Sequence, residues 1–175
     1  MSWTAPMTAV AGSVLTAAQW NQSVRDNLLE TAPANASTVS GYFVVDAPNS
    51  IVQRLGQTAT VTTSETTTST TYTDLATPGP AVTVTTGTMA LVVVAGTTQN
   101  SGAGTTRIAY DISGATSLAS ADTRGMGNAN TDSVTAGTTV LETGLTPGSN
   151  TFTAKYRVSS GTGTFLSRRI VVMPL

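Results

Sequence analysis

The chain has 175 residues and a mass of 17.8 kDa, with a net charge of −1, a charged fraction of 10% and neither cysteine nor histidine. That length builds one domain of ordinary size, or one domain plus an appendage, and not two full domains. The missing residue types exclude disulfide staples, Cys/His zinc sites, cysteine nucleophiles and His-based triads. The sole lysine, Lys155, and the one adjacent basic pair, Arg168 and Arg169, are too few to hold nucleic acid.

The N-terminal stretch from Trp3 to Val14 is irregular, small and apolar, and suits an arm laid along a partner surface. A helix follows it. Thr16 is placed as an N-cap, Gln19 completes a capping box, and Leu15 with Trp20 forms a hydrophobic staple. Ala17, Trp20, Val24 and Leu28 then fall on one face at three- and four-residue spacing. A lone helix of about 14 residues is marginal in water, so the stripe requires a docking surface in its own fold, in a sister subunit or in another protein. Residues 1–31 are therefore expected to be an attachment arm and helix, with Trp3, Pro6, Val14, Leu15, Trp20, Val24, Leu28 and Leu29 as its anchors.

Residues 32–56 are read as a hinge and a short strand pair, Tyr42 to Val45 and Ile51 to Leu55, split by Asp46, Pro48 and Asn49. From 57 to 175 the period is two. Val82 and Val84 alternate with threonines, and Phe152, Ala154, Tyr156 and Val158 alternate with polar residues. Met89 to Ala95, apolar on consecutive positions, predicts a central strand buried on both faces. Turn-forming clusters recur at 77–80, 100–104, 125–130, 146–150 and 159–163, a spacing that implies an antiparallel sandwich. Threonine is roughly one residue in five, and the dense tract at 58–73 predicts strands flanking a loose loop, because Thr is β-branched.

Phe165 to Leu175 predicts a long last strand with two mixed faces. Strict alternation puts Phe165, Val171 and Met173 with Ser167 and Arg169, and Leu166, Ile170 and Val172 with Arg168. A strand apolar on both faces is usually buried on both, so one face is expected either in a subunit interface or inside the monomer.

No segment reaches the roughly 18 apolar residues of a membrane span. Ala9 to Ala18 lacks the positively charged flank of a signal peptide, so the chain reads as leaderless, a product made in a cytoplasm and released by lysis. The acids, among them Glu65, Asp74, Asp111, Asp122 and Glu142, show no spacing that singles out a glycosidase pair. The oxygen-rich stretch 122–132 fails as an EF-hand, since Ser133 and Thr139 stand where Gly and Glu are needed, and it reads as a turn. No enzyme, cofactor or metal is expected.

Both ends of the chain carry a resemblance. Trp3-Thr4-Ala5-Pro6, Val14 to Asn21 and Val24 to Leu29 resemble the opening of structural proteins of tailed bacteriophages, especially those of actinobacteria. Tyr42 to Val45, Ile51 to Arg54 and the closing Arg169 to Leu175 continue the likeness. The resemblance implies a virion component without saying head or tail, a homotrimer whose jelly-roll-like or similar β-sandwich projects from the virion; the capsid exterior is the expected location. Two roles follow from it. One is a capsid decoration protein bound to the major capsid protein through its N-terminal segment, and the other is a tail fibre or receptor-binding protein that recognises a host surface glycan.

Overall fold

The computed structural model describes residues 4–8, 10–31 and 35–175. The chain divides into two compact units, Met1–Leu55 and Gly56–Leu175. It is mainly β, with every strand pair among the described residues antiparallel and a short helical segment in its first unit.

In the first unit, the helical segment runs from Ala17 to Leu29. A hairpin follows, β1 (Tyr42–Ala47) with β2 (Ser50–Arg54), in the register Val44↔Val52. Asn49 turns it in the left-handed region at φ 57°, a conformation Asn tolerates. The Gln53 side chain ties down the approach to the hairpin. Its Oε1 accepts from the Ser37 and Thr38 amides at 2.9 and 3.0 Å, and its Nε2 donates to the Thr38 carbonyl at 2.7 Å. Gly41 leaves room for this, because a Cβ there would collide with the Gln53 amide.

The second unit holds nine strands: β3 (Gln57–Val61), β4 (Glu65–Thr67), β5 (Ala81–Thr86), β6 (Met89–Asn100), β7 (Thr106–Gly114), β8 (Met126–Asn128), β9 (Val134–Thr143), β10 (Gly148–Val158) and β11 (Gly163–Pro174). One sheet has the order β5-β10-β7-β8, and the other has β3-β11-β6-β9 with β4 also paired to β11. A single apolar cluster draws Val82, Ile108, Tyr110, Phe152 and Tyr156 from the first sheet and Val92, Val94, Phe165, Ile170 and Val172 from the second. The Tyr156 and Phe165 rings meet edge to face at 5.0 Å between centroids, joining the two sheets at their aromatic centre.

Three expectations change here. Met89 to Ala95 is buried on one face only: Ala90, Val92 and Val94 are fully enclosed, while Met89, Leu91, Val93 and Ala95 turn outward. The run is apolar throughout because its outer face is apolar too. In β11 the register slips between Leu166 and Arg169, so that Ser167 and Arg168 stand opposite one residue of β6, Gly96. This bulge reverses the side-chain phase. Phe165 joins Arg168, Ile170 and Val172 inside, and Leu166 joins Arg169, Val171 and Met173 outside. Ser167 lies at φ 51°, and at Gly96 a Cβ would come within 2.7 Å of Ile108 Cδ1. Third, the 125–130 cluster is not only a turn, since Met126–Asn128 pairs with β7 as β8. Asx turns follow it, with Asn130 N donating to Asn128 Oδ1 at 3.0 Å and Asp132 N to Asn130 Oδ1 at 3.2 Å.

Candidate functional site

The helical segment opens as the sequence predicts. Gln19 N donates to Thr16 Oγ1 at 3.2 Å, and Gln19 Oε1 accepts from Thr16 N at 3.0 Å, so the capping box is complete. The segment then departs from a plain α-helix. Ala17–Trp20 is α, Asn21–Asp26 winds as a π-helix, and Asn27–Leu29 returns to α. Asn27 Nδ2 reaches the Ser23 carbonyl at 3.3 Å, the group to which its own backbone N–H would donate in an α-helix. That N–H donates to Val24 O instead.

The same face holds the arm. Asn27 Oδ1 accepts from Thr4 N at 3.1 Å while Nδ2 donates to Thr4 O at 2.9 Å, and Ser23 Oγ accepts from Met7 N at 3.2 Å. Ser23 and Asn27, four apart on one side of the helix, thereby stand in for strand partners along the Thr4–Met7 backbone. Sequence reasoning gave polar roles only to the cap residues Thr16 and Gln19 and missed this pair. A polar i, i+4 pair facing an arm with no secondary structure of its own was the available signal.

The polar side of the segment is thus occupied from within, and the apolar side is not. Val14 is 88% exposed, Leu28 60%, Trp20 57%, Leu29 51% and Leu15 48%. Pro6 is exposed as well, and Val24 is half-buried. Trp3 lies outside the described residues. Among the described residues of the first unit, none is buried. Val14 and Leu15 come together with Met7, Val10, Thr8, Ser13 and Gln19 around a cavity of 160 Å³ of mixed polar and apolar lining.

The second unit gathers its charges in pairs. Lys155 Nζ donates to both Asp74 carboxylate oxygens at 2.8 and 2.9 Å, and it lies 3.5 Å from Asp111 Oδ2. Burial pushes the Asp111 carboxyl above the usual range, with Lys155 pulling it back in part. Burial works against the charged Lys155, but its hydrogen bond to Asp74 and the two carboxylate charges outweigh that and raise its pKa. These three groups line a polar cleft of 390 Å³ with Tyr72, Thr73, Ala119 and Ser120. At its margin, Asp122 accepts from Tyr72 Oη at 2.9 Å and from Arg157 Nε at 3.0 Å, with Arg107 at 3.3 Å. The Arg157 hydrogen bond holds Asp122 below its ordinary pKa, while burial and the bond to Asp122 push Tyr72 up to about 12. Every one of these acids is engaged with a cation.

Two further pairs sit deeper. Arg168 is fully enclosed, 3.1 Å from Glu65 Oε2, and its guanidinium lies 5.2 Å from the centroid of the Tyr156 ring. Glu65 also accepts from the Thr77 amide and hydroxyl at 3.0 and 2.6 Å, and the hydroxyl bond is the main reason its pKa falls. Tyr110 Oη donates to Glu142 at 2.7 Å, and Arg124 lies 3.1 Å from the same carboxylate oxygen. Both pairs link elements of the fold to one another. Among the described residues, no cluster of three or more metal-ligating side chains forms. No protein-family model matches the chain, and a search of curated proteins returns no match.

Proposed function

We propose that the protein is a non-enzymatic component of a tailed-bacteriophage particle, a decoration protein that grips the major capsid protein through its N-terminal segment and stabilises the head from outside. The observation that carries this reading is the set of large apolar side chains, Val14, Leu15, Trp20, Leu28 and Leu29, left exposed on a segment whose backbone is already fixed by a capping box and by Ser23 and Asn27. A segment that is ordered yet buries nothing is suited to bury its anchors against something else. The two sheets of the second unit form, in this reading, a jelly-roll-like sandwich that self-associates as a homotrimer above the shell.

The mechanism is mechanical. Each large side chain fully buried on binding contributes roughly 1.5–3 kcal/mol, less the cost of ordering and association. Trp20, Leu28 and their neighbours laid across a seam between capsomers add free energy that has to be lost before the capsomers part. Three linked copies multiply the retention through effective concentration.

Co-sedimentation with undecorated capsids and, separately, with isolated tails tests the reading. Wild type pellets with capsids, and Trp20→Ala and Leu28→Asp remain in the supernatant while keeping wild-type circular dichroism. Binding to tails alone would move the protein to the second reading, a receptor-binding component that recognises a host glycan. That reading is favoured by the polar cleft, where Lys155, Asp74, Asp111 and Ser120 offer donors and acceptors to a polyhydroxylated ligand.

A further inference from the structure

The five-stranded sheet turns an apolar face outward. Register places Leu141, Leu91 and Met173 in one row across β9, β6 and β11, and Thr139, Val93, Val171 and Thr58 in the next, with Met89 beside them. Met89, Leu141 and Met173 are exposed, and Leu91, Val93 and Val171 are half-buried. Side chains adjacent both along and across strands make one continuous patch rather than scattered surface residues.

The charge pattern identifies the occupant. In β3, β4, β6, β9 and β11, Glu65, Glu142 and Arg168 turn inward, which leaves Arg169 as the single charge on the outer face. Arg169 sits one row beyond Val171, where its Nε donates to Thr60 Oγ1 at 3.3 Å. A charged partner finds nothing to pair with here. A symmetric contact, in contrast, brings residues near its axis against their own copies, where like charges would repel, so a face of Leu, Val, Met and Thr suits it. Four strands about 4.8 Å apart, with rows about 3.4 Å apart over Met89–Ala95, give an apolar patch on the order of 400 Å², about half of the roughly 800 Å² per partner of a stable interface, and the Thr97 and Gln99 rows of the same face extend it.

We infer that this face is the self-association surface of the protein, packed against the same face of sister chains, with Leu91, Val93, Leu141, Val171 and Met173 at its centre. The inference deepens the self-association proposed above and does not rest on the capsid reading.

The chain lacks cysteine, so one introduced thiol is a clean probe. Light scattering of the full chain at tens of micromolar should give an oligomeric mass for wild type. The double variant Leu141→Lys/Met173→Lys should give a monomeric mass with unchanged circular dichroism. Leu141→Cys should form disulfide-linked dimers under mild oxidation, whereas Thr83→Cys, on the other sheet, should not. Trp20→Asp/Leu28→Asp should remain oligomeric. A monomeric wild type overturns the inference, as does an oligomeric folded lysine double variant, or a Trp20→Asp/Leu28→Asp protein that dissociates while the lysine variant does not. If the lysine variant is misfolded, the cysteine pair decides: linkage at 141 and none at 83 supports the inference, and the reverse overturns it. Capsid co-sedimentation of the same proteins reads the capsid hypothesis separately, because a monomer with intact Trp20 and Leu28 retains its anchors.

Discussion

The two units of the chain spend their apolar residues in opposite ways. Gly56–Leu175 encloses Val92, Val94, Ile108, Phe152, Phe165, Ile170 and Val172 completely or nearly so, and its stability is internal. In Met1–Leu55 the described large side chains are exposed or half-buried, and order comes instead from hydrogen bonds made by Thr16, Gln19, Ser23, Asn27 and Gln53. The hydrogen-bonded unit has a shape without a core. Its shape is therefore available to present an apolar surface, where a core would have consumed that surface.

Substitutions that separate burial from presentation test the contrast most sharply. Phe165→Ala, which empties a fully enclosed site against Tyr156, should cost about 3–5 kcal/mol in urea unfolding. Trp20→Ala, a larger deletion, should stay within about 0.5 kcal/mol of wild type in the same experiment, and a cost approaching that of Phe165→Ala would show that Trp20 belongs to a core. Tyr110→Phe should fall between the two. It removes the hydroxyl that donates to the enclosed Glu142 but leaves Arg124 in place, for an expected loss of about 1–3 kcal/mol.

Within the first unit, Asn27→Ala should leave global stability unchanged and abolish hydrogen-exchange protection at the Thr4 amide, visible by mass spectrometry of N-terminal peptides. Persisting protection would mean the arm is held by something other than Asn27. The smallest expected effect is a pH dependence. Asp122 has a lowered pKa, so its ion pairs add stability above the ordinary aspartate range of about 4, and that stability is lost as pH falls through the lowered value. Thermal melts of Asp122→Asn against wild type should differ at pH 7 and converge in acid. A constant gap would assign Asp122 a packing role alone.

Local signals were legible and non-local ones were not. The Thr16/Gln19 box, the 42–54 hairpin and the alternation of Phe152 to Val158 each lie within a few residues of chain, and each stands in the structure as its pattern foretold. The hydrogen bonds between Asn27 and Thr4 span 23 residues, and no periodicity in 16–30 encodes them. MALVVVA was read as doubly buried because apolar content alone does not distinguish a second core face from an outer apolar face. The face assignments of Phe165 and Leu166 failed for a different reason, since Ser167 is an extra residue in an otherwise regular alternation. With Ser167 set aside, Phe165, Arg168, Ile170 and Val172 recur at every second position.

That extra residue also governs how the sheet ends. The bulge lies opposite the gap between β3, which pairs with Arg168 to Val172, and β4, which pairs with Gly163 to Phe165. Arg168 fastens the gap, its Nη2 donating to Thr63 Oγ1 at 3.1 Å. The sheet's rim is therefore two short strands with a clipped corner between them, where a straight β11 would have supported one long strand with a continuous row of free amides and carbonyls. A long flat rim invites a further strand from another molecule, while a broken one gives it only a few consecutive hydrogen bonds. The kink at Ser167 thus shortens the rim on the β3/β4 side, while β9 at the opposite edge remains one strand of 10 residues.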